Sequence, residues 1–198
     1  MNYGEILAYW YLRFNGFIPM LDFVLHRAAS DERTSDVDLL AVRLPGVVEA
    51  IGGSSEDWDD WFRVCAGVDI AKTSVAVIGE AKTGRRVQAR HIEPCFTRDR
   101  IALALQRLGL LEPHEPVPNE ADAGKHLTLH GWAVLKIAFV ELPLHTTTCH
   151  VLTLDHVDCF IRRRLRRYND EKFRDRFFFR DPLIGYLAWS AGHHAGPA

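Results

Sequence analysis

Apolar residues in the first hundred positions form one helical pattern, three strand-like runs and a second helical pattern. Residues 4–14 are apolar on nearly every side and end at Asn15-Gly16, a pair typical of helix C-termini. Short apolar runs bounded by polar residues predict strands at residues 17–27, 35–43 and 72–81. Apolar residues at helical spacing predict the second helix at residues 98–108. This order indicates an α/β core.

An insertion separates the second and third predicted strands. Ser54 and Asp57 form a capping-box-like start within it. The apolar stripe that follows consists of Trp58, Trp61, Phe62 and Cys65. These features predict a helix over residues 54–65. Core packing explains its two tryptophans better than stacking on nucleobases does.

The second half of the chain predicts two more strands and two more helices. Residues 112–126 are rich in proline and acid and predict a loop. Strands are expected at residues 132–140 and 150–154. Asp155 is the expected N-cap of a helix that reaches Tyr168, and a last helix is expected from Asp181-Pro182 to near Gly192. The fold class is therefore α/β, with a mixed central sheet flanked by helices.

Charged residues stand at the ends of two predicted strands. Asp36 and Asp38 begin one apolar run, and Glu80 and Lys82 end another. Because side chains alternate along a strand, each pair emerges on one face. Carboxylates are hard oxygen ligands that suit Mg²⁺, and a lysine beside them places a cation next to a reacting phosphate. If the two strands pair, the sequence predicts an acid–acid–lysine site, with Asp36 interpreted as a turn acid rather than a helper ligand.

These residues and this order of elements resemble the PD-(D/E)XK nuclease superfamily, which has the restriction-endonuclease-like fold. The resemblance covers residues 1–105 and places the family motif on Asp38, Glu80 and Lys82, with Glu5 matching a glutamate of the first helix. Two departures are visible. Val37 replaces the proline of the motif, and 41 residues separate Asp38 from Glu80. We therefore expect a single nuclease-like domain over residues 1–198, with a core at 1–110, a helical insertion at 46–70, and C-terminal strands and helices at 127–192.

The resemblance implies a metal-dependent endonuclease or exonuclease that hydrolyses phosphodiester bonds in nucleic acid, with DNA the expected substrate. Asp38 and Glu80 would bind Mg²⁺ or Mn²⁺, helped by Glu5, and Lys82 would act on the attacking water or the phosphate. Glu5 has an equal alternative as a first-turn acid favoured by the helix dipole. Two other classes stay open. One is a non-catalytic nucleic-acid-binding or assembly module of the same fold, and the other is a small-molecule-binding or interaction domain.

The chain has a net charge of −2, but its charge is unevenly distributed. Residues 44–70 carry −5 and residues 161–180 carry +6. Four arginines occupy the outer surface of the helix predicted after Asp155, namely Arg162, Arg163, Arg166 and Arg167. Attraction to phosphates is local at physiological salt, so a basic surface can hold nucleic acid on a near-neutral protein. The alternative is a solvated helix face with no ligand.

Composition bears on the size of the domain, on membrane insertion and on metal binding by cysteine and histidine. With 198 residues, 47% of them hydrophobic, the chain can form one sizeable core, and no apolar run is long enough to span a bilayer. Four cysteines without CxxC spacing favour free thiols and a cytoplasmic protein. The group His145, Cys149, His150, His156 and Cys159 fits no common zinc pattern. The oligomeric state stays open, with a homodimer one option.

Overall fold

The computed structural model describes residues 2–26, 33–119, 121–173 and 181–193. Within these ranges it leaves out the side chains of residues 23–26, 33–36, 172–173 and 192–193, so the side chain of Asp36 lies outside the described residues. The fold is α/β, with a six-stranded mixed sheet flanked by helices. This confirms the mixed central sheet expected from the sequence. No described helix has the length and apolar character that crossing a membrane requires.

The strands are β1 Ile18–His26, β2 Arg33–Arg43, β3 Ser74–Lys82, β4 His126–Leu129, β5 Trp132–Val140 and β6 His150–Thr153. The helices are α1 Tyr3–Phe14, α2 Trp61–Val64, α3 Ala89–Ile92, α4 Arg98–Arg107, α5 Leu154–Arg167 and α6 Pro182–His193. Short 3₁₀ segments lie at Ser55–Asp57 and Glu93–Phe96, and a π-helical segment lies at Asn169–Phe173.

The sheet contains both antiparallel and parallel strand pairs, and β4 pairs antiparallel with β5 whereas β6 pairs parallel with it. Its strand order is β1-β2-β3-β5-β4, with β1–β2 and β2–β3 antiparallel and β3–β5 parallel. Both β4 and β6 pair with β5, β4 along its first half and β6 along its second half. Strands β3 and β5 lie inside the sheet and are buried along nearly their whole length, which explains their continuous apolar runs.

Two hydrophobic layers cover the two faces of the sheet. The first layer comprises α1, α2, α5 and α6, and packs on strand residues such as Leu39, Val77 and Ile137. The second layer comprises α3, α4 and the 3₁₀ segment between them, and packs on Leu40 and Ile78, among others. Alternate residues of each strand therefore belong to different layers, as the two-residue repeat of a β-strand requires.

The structure corrects three of the expected elements. The segment 54–65 is not one helix but a 3₁₀ turn followed by the four-residue α2. The N-cap of α5 is Thr153, whose Oγ1 accepts the backbone N–H of His156 at 3.3 Å, and not Asp155. Strand β4 was not expected: the predicted loop ended at His126, and the next strand was expected only from Trp132.

Candidate functional site

Strands β2 and β3 bring Asp38, Glu80 and Lys82 together. Leu39 pairs with Gly79 in the antiparallel ladder, so Asp38 lies opposite Glu80 one step further along. Both acids share the second-layer face of the sheet with Leu40 and Ile78. Gly79 leaves room for the Leu39 side chain, because a Cβ at this position would lie 3.0 Å from Leu39 Cδ2.

The three side chains form one charged cluster, which we call the acidic–lysine cluster. Lys82 Nζ donates a short hydrogen bond to Glu80 Oε1 and lies 3.9 Å from Asp38 Oδ2. The same Asp38 oxygen accepts the backbone N–H of Ala81 at 2.8 Å. The strand backbone and the lysine together therefore fix both carboxylates at the end of β3.

Burial disfavours the charged forms of the side chains in this cluster. The Glu80 side chain is 6% exposed and the Asp38 side chain 18%. Burial, and then the nearby charge of Glu80, raises the pKa of Asp38 to about 6, although the Ala81 N–H and Lys82 act in the opposite direction. Burial alone would lower the pKa of Lys82, but its hydrogen bond to Glu80 and the two negative charges raise it above its ordinary value. Two carboxylates held together in a partly dry site are a usual mark of a functional centre.

A cysteine that sequence reasoning missed forms part of the wall beside this cluster. Cys95 lies in the 3₁₀ segment of the second layer, and its Sγ is 3.7 Å from the carbonyl oxygen of His91. Burial, followed by the charge of Glu80 and a hydrogen bond to it, raises the pKa of the Cys95 thiol to about 11. The thiol therefore stays protonated beside Glu80. No local sequence pattern marks this contact, because 15 positions separate the two residues.

The raised pKa of Asp38 predicts that stability depends on pH in the metal-free protein. Its pKa is about 6 in the folded state against an ordinary value of 3.8, so the folded protein holds this proton more tightly than the unfolded chain does. The contribution of Asp38 to stability therefore falls as pH rises from about 4 to about 6, by at most about 3 kcal/mol. Asp38→Asn should remove this loss, because its amide oxygen can still accept the Ala81 N–H.

Urea unfolding in EDTA at several pH values measures this effect. We expect Asp38→Asn to be more stable than the wild type at pH 7 and the two proteins to converge below about pH 4. A constant difference between them across that range would contradict the raised pKa.

Glu5 lies at the start of α1, on the first-layer side of the sheet. Its Oε2 accepts the backbone N–H of Asn2 at 3.0 Å, and its Oε1 accepts a short hydrogen bond from the Asn2 side chain. This is a capping box that closes the first turn of α1. The helix start is next to the end of β3, since a Cβ on Gly4 would lie 2.8 Å from Thr83 Cγ2. The start of α1 is thus close to that strand end, and the role of Glu5 as a metal ligand stays a prediction.

The arginines of α5 lie on the other layer from the acidic–lysine cluster. Arg162 donates to Asp158 at 2.6 Å, and Arg167 lies 3.1 Å from Asp57 Oδ1. Arg163 and Arg166 are exposed, with the Arg163 guanidinium 5.7 Å from the centroid of the Phe160 ring. Arg163 and Arg167 also line a polar cavity of about 320 Å³ between α5 and the insertion. The structure therefore does not bring these arginines together with the cluster.

A buried pair that sequence reasoning missed attaches the insertion to α5. Arg164 NH1 donates to the Asp57 carbonyl oxygen at 2.6 Å and lies 3.7 Å from Asp57 Oδ1. The side chains of Arg164 and Asp57 are at most 6% exposed. Tyr168 donates a short hydrogen bond to the same carboxylate, and Ser54 donates to it at 2.7 Å. The hydrogen bonds from Tyr168 and Ser54 and the charge of Arg164 keep the pKa of Asp57 below its ordinary value, although burial acts to raise it.

The histidines and cysteines considered as zinc ligands do not form a metal site among the described residues. His156 Nε2 lies 2.6 Å from Asp59 Oδ2, which also accepts the Tyr11 hydroxyl at 2.9 Å. His150 is buried, and burial lowers its pKa to about 4. Among the described residues, no group of three or more His, Cys, Asp or Glu side chains is arranged to hold a metal ion. A divalent ion at the acidic–lysine cluster would therefore rest on two carboxylates.

Comparisons with known proteins leave the family of this chain undefined. No family model matches the chain, and no curated protein matches it. Among solved structures, the chain is similar to the MspJI restriction endonuclease in complex with a 27-mer oligonucleotide, with 14% sequence identity and a TM-score of 0.31. The match covers 98% of this chain and 32% of that one, so this chain spans about a third of its length. So distant a likeness carries no argument about the function of this chain.

Proposed function

We propose that this protein is a metal-dependent phosphodiester hydrolase of the restriction-endonuclease-like fold, acting on nucleic acid and expected to act on DNA. The observation that carries the proposal is the contact of two largely buried carboxylates with one lysine at the end of β3. Such a cluster is expensive as a purely structural feature, because burying charges costs several kcal/mol per ion before their attraction is counted. A catalytic role supplies a reason for that cost.

The donor set fits a hard divalent ion. Mg²⁺ is usually bound through one or two carboxylates, with water and substrate phosphate completing its coordination. Asp38 and Glu80 provide two carboxylates on one face of the sheet, and Glu5 would have to leave its capping box to join them. A bound Mg²⁺ or Mn²⁺ would polarise the phosphate and lower the pKa of a bound water. Asp38 must be ionised to serve as a ligand, so we expect metal affinity to weaken as pH falls below about 6.

Lys82 is the residue we place next to the reacting phosphate. Its raised pKa keeps the ammonium charged at neutral pH, and its side chain is 37% exposed, so it is accessible to a substrate. An ammonium fixed in a partly dry site stabilises the negative charge that develops on the phosphate during attack by water. Glu80 holds Lys82 in position, which makes Lys82 ready before the substrate arrives.

The α5 arginines form a second proposed contact, to phosphates away from the reacting bond. Arg163 and Arg166 are the pair to replace, because Arg162 and Arg167 have acidic partners inside the protein. The double variant Arg163→Ala/Arg166→Ala should lower the slope of log K against log salt by about one unit per lost phosphate contact. Binding measured by fluorescence anisotropy at several salt concentrations tests this, and an unchanged slope would leave these residues as a solvated helix face.

A non-catalytic module of the same fold is the second candidate. One observation favours it: the described residues offer two carboxylates at the cluster rather than three metal-holding side chains, and Lys82 already neutralises Glu80. Such a protein would bind nucleic acid with a salt-dependent affinity but would not cleave it.

Cleavage of labelled nucleic acid separates the two candidates. The substrates are single-stranded, duplex and branched DNA and a matching RNA, each with Mg²⁺, Mn²⁺ or EDTA. We expect cleavage of at least one of them with metal and none with EDTA. Salt-dependent binding without cleavage of any substrate would replace the hydrolase with the non-catalytic module.

A further inference from the structure

The segment directly after Lys82 carries a group of exposed arginines that the sequence interpretation did not use. These are Arg85, Arg86 and Arg90, and we call them the strand-end arginines. We propose that the strand-end arginines form the surface that binds the nucleic-acid phosphates next to the bond being cleaved. This inference rests on the proposed function, because it assigns a substrate contact to the same site.

The backbone turns these side chains outward. The N–H of Val87 bonds the carbonyl oxygen of Gly84 at 3.3 Å, which makes Arg85 and Arg86 the two central residues of a turn. Gly84 has a φ of 110°, a conformation that other residues rarely adopt. Arg90 follows in α3, the short helix after the turn. All three arginines are exposed, so the turn displays them at the end of β3.

The sequence around this turn carries a positive charge. Residues 83–92 contain the three arginines and one histidine but no aspartate or glutamate. Among the described residues, none of the three arginines forms an ion pair with an acid within 4.0 Å. Arg85 does act at longer range on Glu141, whose pKa is lowered first by its hydrogen bond to Tyr3, then by the Gly84 N–H, and last by Arg85. Glu141, whose carboxylate accepts the Gly84 N–H at 2.9 Å, offsets part of the charge of Arg85, and the charge of Arg86 and Arg90 stays available to a ligand.

The short distance between the turn and the acidic–lysine cluster indicates that the ligand is a nucleic-acid strand. Arg85 is three residues after Lys82, so their Cα atoms lie within about 11 Å of each other. One duplex strand has a phosphate about every 3.4 Å along the helix axis, so this distance covers about three phosphates. A strand with one phosphate at Lys82 could therefore continue over the turn, where the planar guanidinium groups can bind phosphate oxygens through two hydrogen bonds each.

This surface differs from the α5 arginines in two respects. The strand-end arginines directly follow the acidic–lysine cluster in the sequence, whereas α5 belongs to the first layer, on the other face of the sheet. They also lack the internal acidic partners that Arg162 and Arg167 have. Contacts of this kind go to the backbone and not to base edges, so we expect them to fix the position of the substrate without selecting its sequence.

The test compares two double variants that each remove two positive charges. One is Arg85→Ala/Arg86→Ala. The control is Arg63→Ala/Lys72→Ala, whose residues form exposed ion pairs with Asp60 and Asp69. Lys72 stands before the first residue of β3, about 30 Å along the strand from Lys82. Binding of a short labelled DNA duplex is measured in EDTA between about 50 and 200 mM salt, and single-turnover cleavage is measured with Mg²⁺.

We expect Arg85→Ala/Arg86→Ala to reduce the salt slope by about two units and to slow cleavage at low substrate concentration, with no change in urea unfolding. The control should bind with the wild-type slope, and adding Arg90→Ala to the first variant should remove about one further unit. The proposal is overturned by an unchanged slope, by equal losses in both double variants, or by a wild type that binds no nucleic acid. If the slope falls as expected but the wild type cleaves nothing, the binding surface stands and the hydrolase fails.

Discussion

Lys82→Ala is expected to slow phosphodiester cleavage by about 10²–10³-fold while leaving divalent-metal binding intact or slightly tighter. The rate falls because one fixed cation next to the developing charge is lost, which typically costs about 3–4 kcal/mol of transition-state stabilisation. Metal binding persists because Lys82 is not a ligand and competes with the metal for Glu80. Single-turnover cleavage measures the first effect, and a Mn²⁺ titration followed by electron paramagnetic resonance measures the second.

Two further variants of the same cluster sharpen this result. Lys82→Met keeps the length of the side chain and should be as slow as Lys82→Ala, which shows that the charge and not the packing is required. Glu80→Gln keeps its shape but should lose both metal binding and cleavage, because a carboxylate ligand has gone. Lys82→Met cleaving at the wild-type rate would remove Lys82 from the mechanism.

Arg164→Ala is expected to destabilise the protein by about 3–5 kcal/mol, although Arg164 is not part of the proposed site. Its side chain is 6% exposed, and its guanidinium donates to the Asp57 carbonyl oxygen beside the Asp57 carboxylate, which is 2% exposed. Without it, the insertion loses one of its contacts with α5, and the Asp57 carboxylate keeps Tyr168, Ser54 and Arg167 as partners. Urea unfolding measures the loss.

The exposed neighbour Arg166 on the same helix is the matched control for Arg164. Arg166→Ala should change stability by no more than about 0.5 kcal/mol, since exposed substitutions without special contacts seldom do more. Equal effects of the two substitutions would show that the buried pair is not what attaches the insertion to α5.

The sequence correctly predicted features that depend on the spacing of apolar and charged residues within one strand. Strand β5 has the predicted bounds because it lies inside the sheet and its nine residues are buried or nearly so. The alternation along β3 also placed Glu80 and Lys82 on one face, whereas Asp38 joins them only because β2 pairs with β3, which the sequence analysis could state only as a condition. Short-range periodicity is enough for such features, because it reflects which face of each strand is covered.

Features that depend on distant partners could not be predicted in this way. Ser54 and Asp57 do form the expected reciprocal cap, but the helix does not continue, and Asp57 instead serves Arg164 and Tyr168 on α5. His156 bonds Asp59 across 97 positions of sequence, and no spacing rule marks such a pair. Strand β4 has only four residues, in which two polar residues alternate with two leucines. So short an alternation next to a proline-rich loop does not predict a strand.

The most direct test of the central claim is metal-dependent cleavage by the wild type and by Glu80→Gln, purified in parallel by the same procedure. The parallel purification matters because a contaminating nuclease would be present in both preparations. We predict that the wild type cleaves nucleic acid with Mg²⁺ or Mn²⁺ and stops with EDTA, and that Glu80→Gln is inactive under all these conditions. Equal metal-dependent cleavage by both proteins, or none by the wild type, would contradict the assignment of the acidic–lysine cluster as a nuclease site.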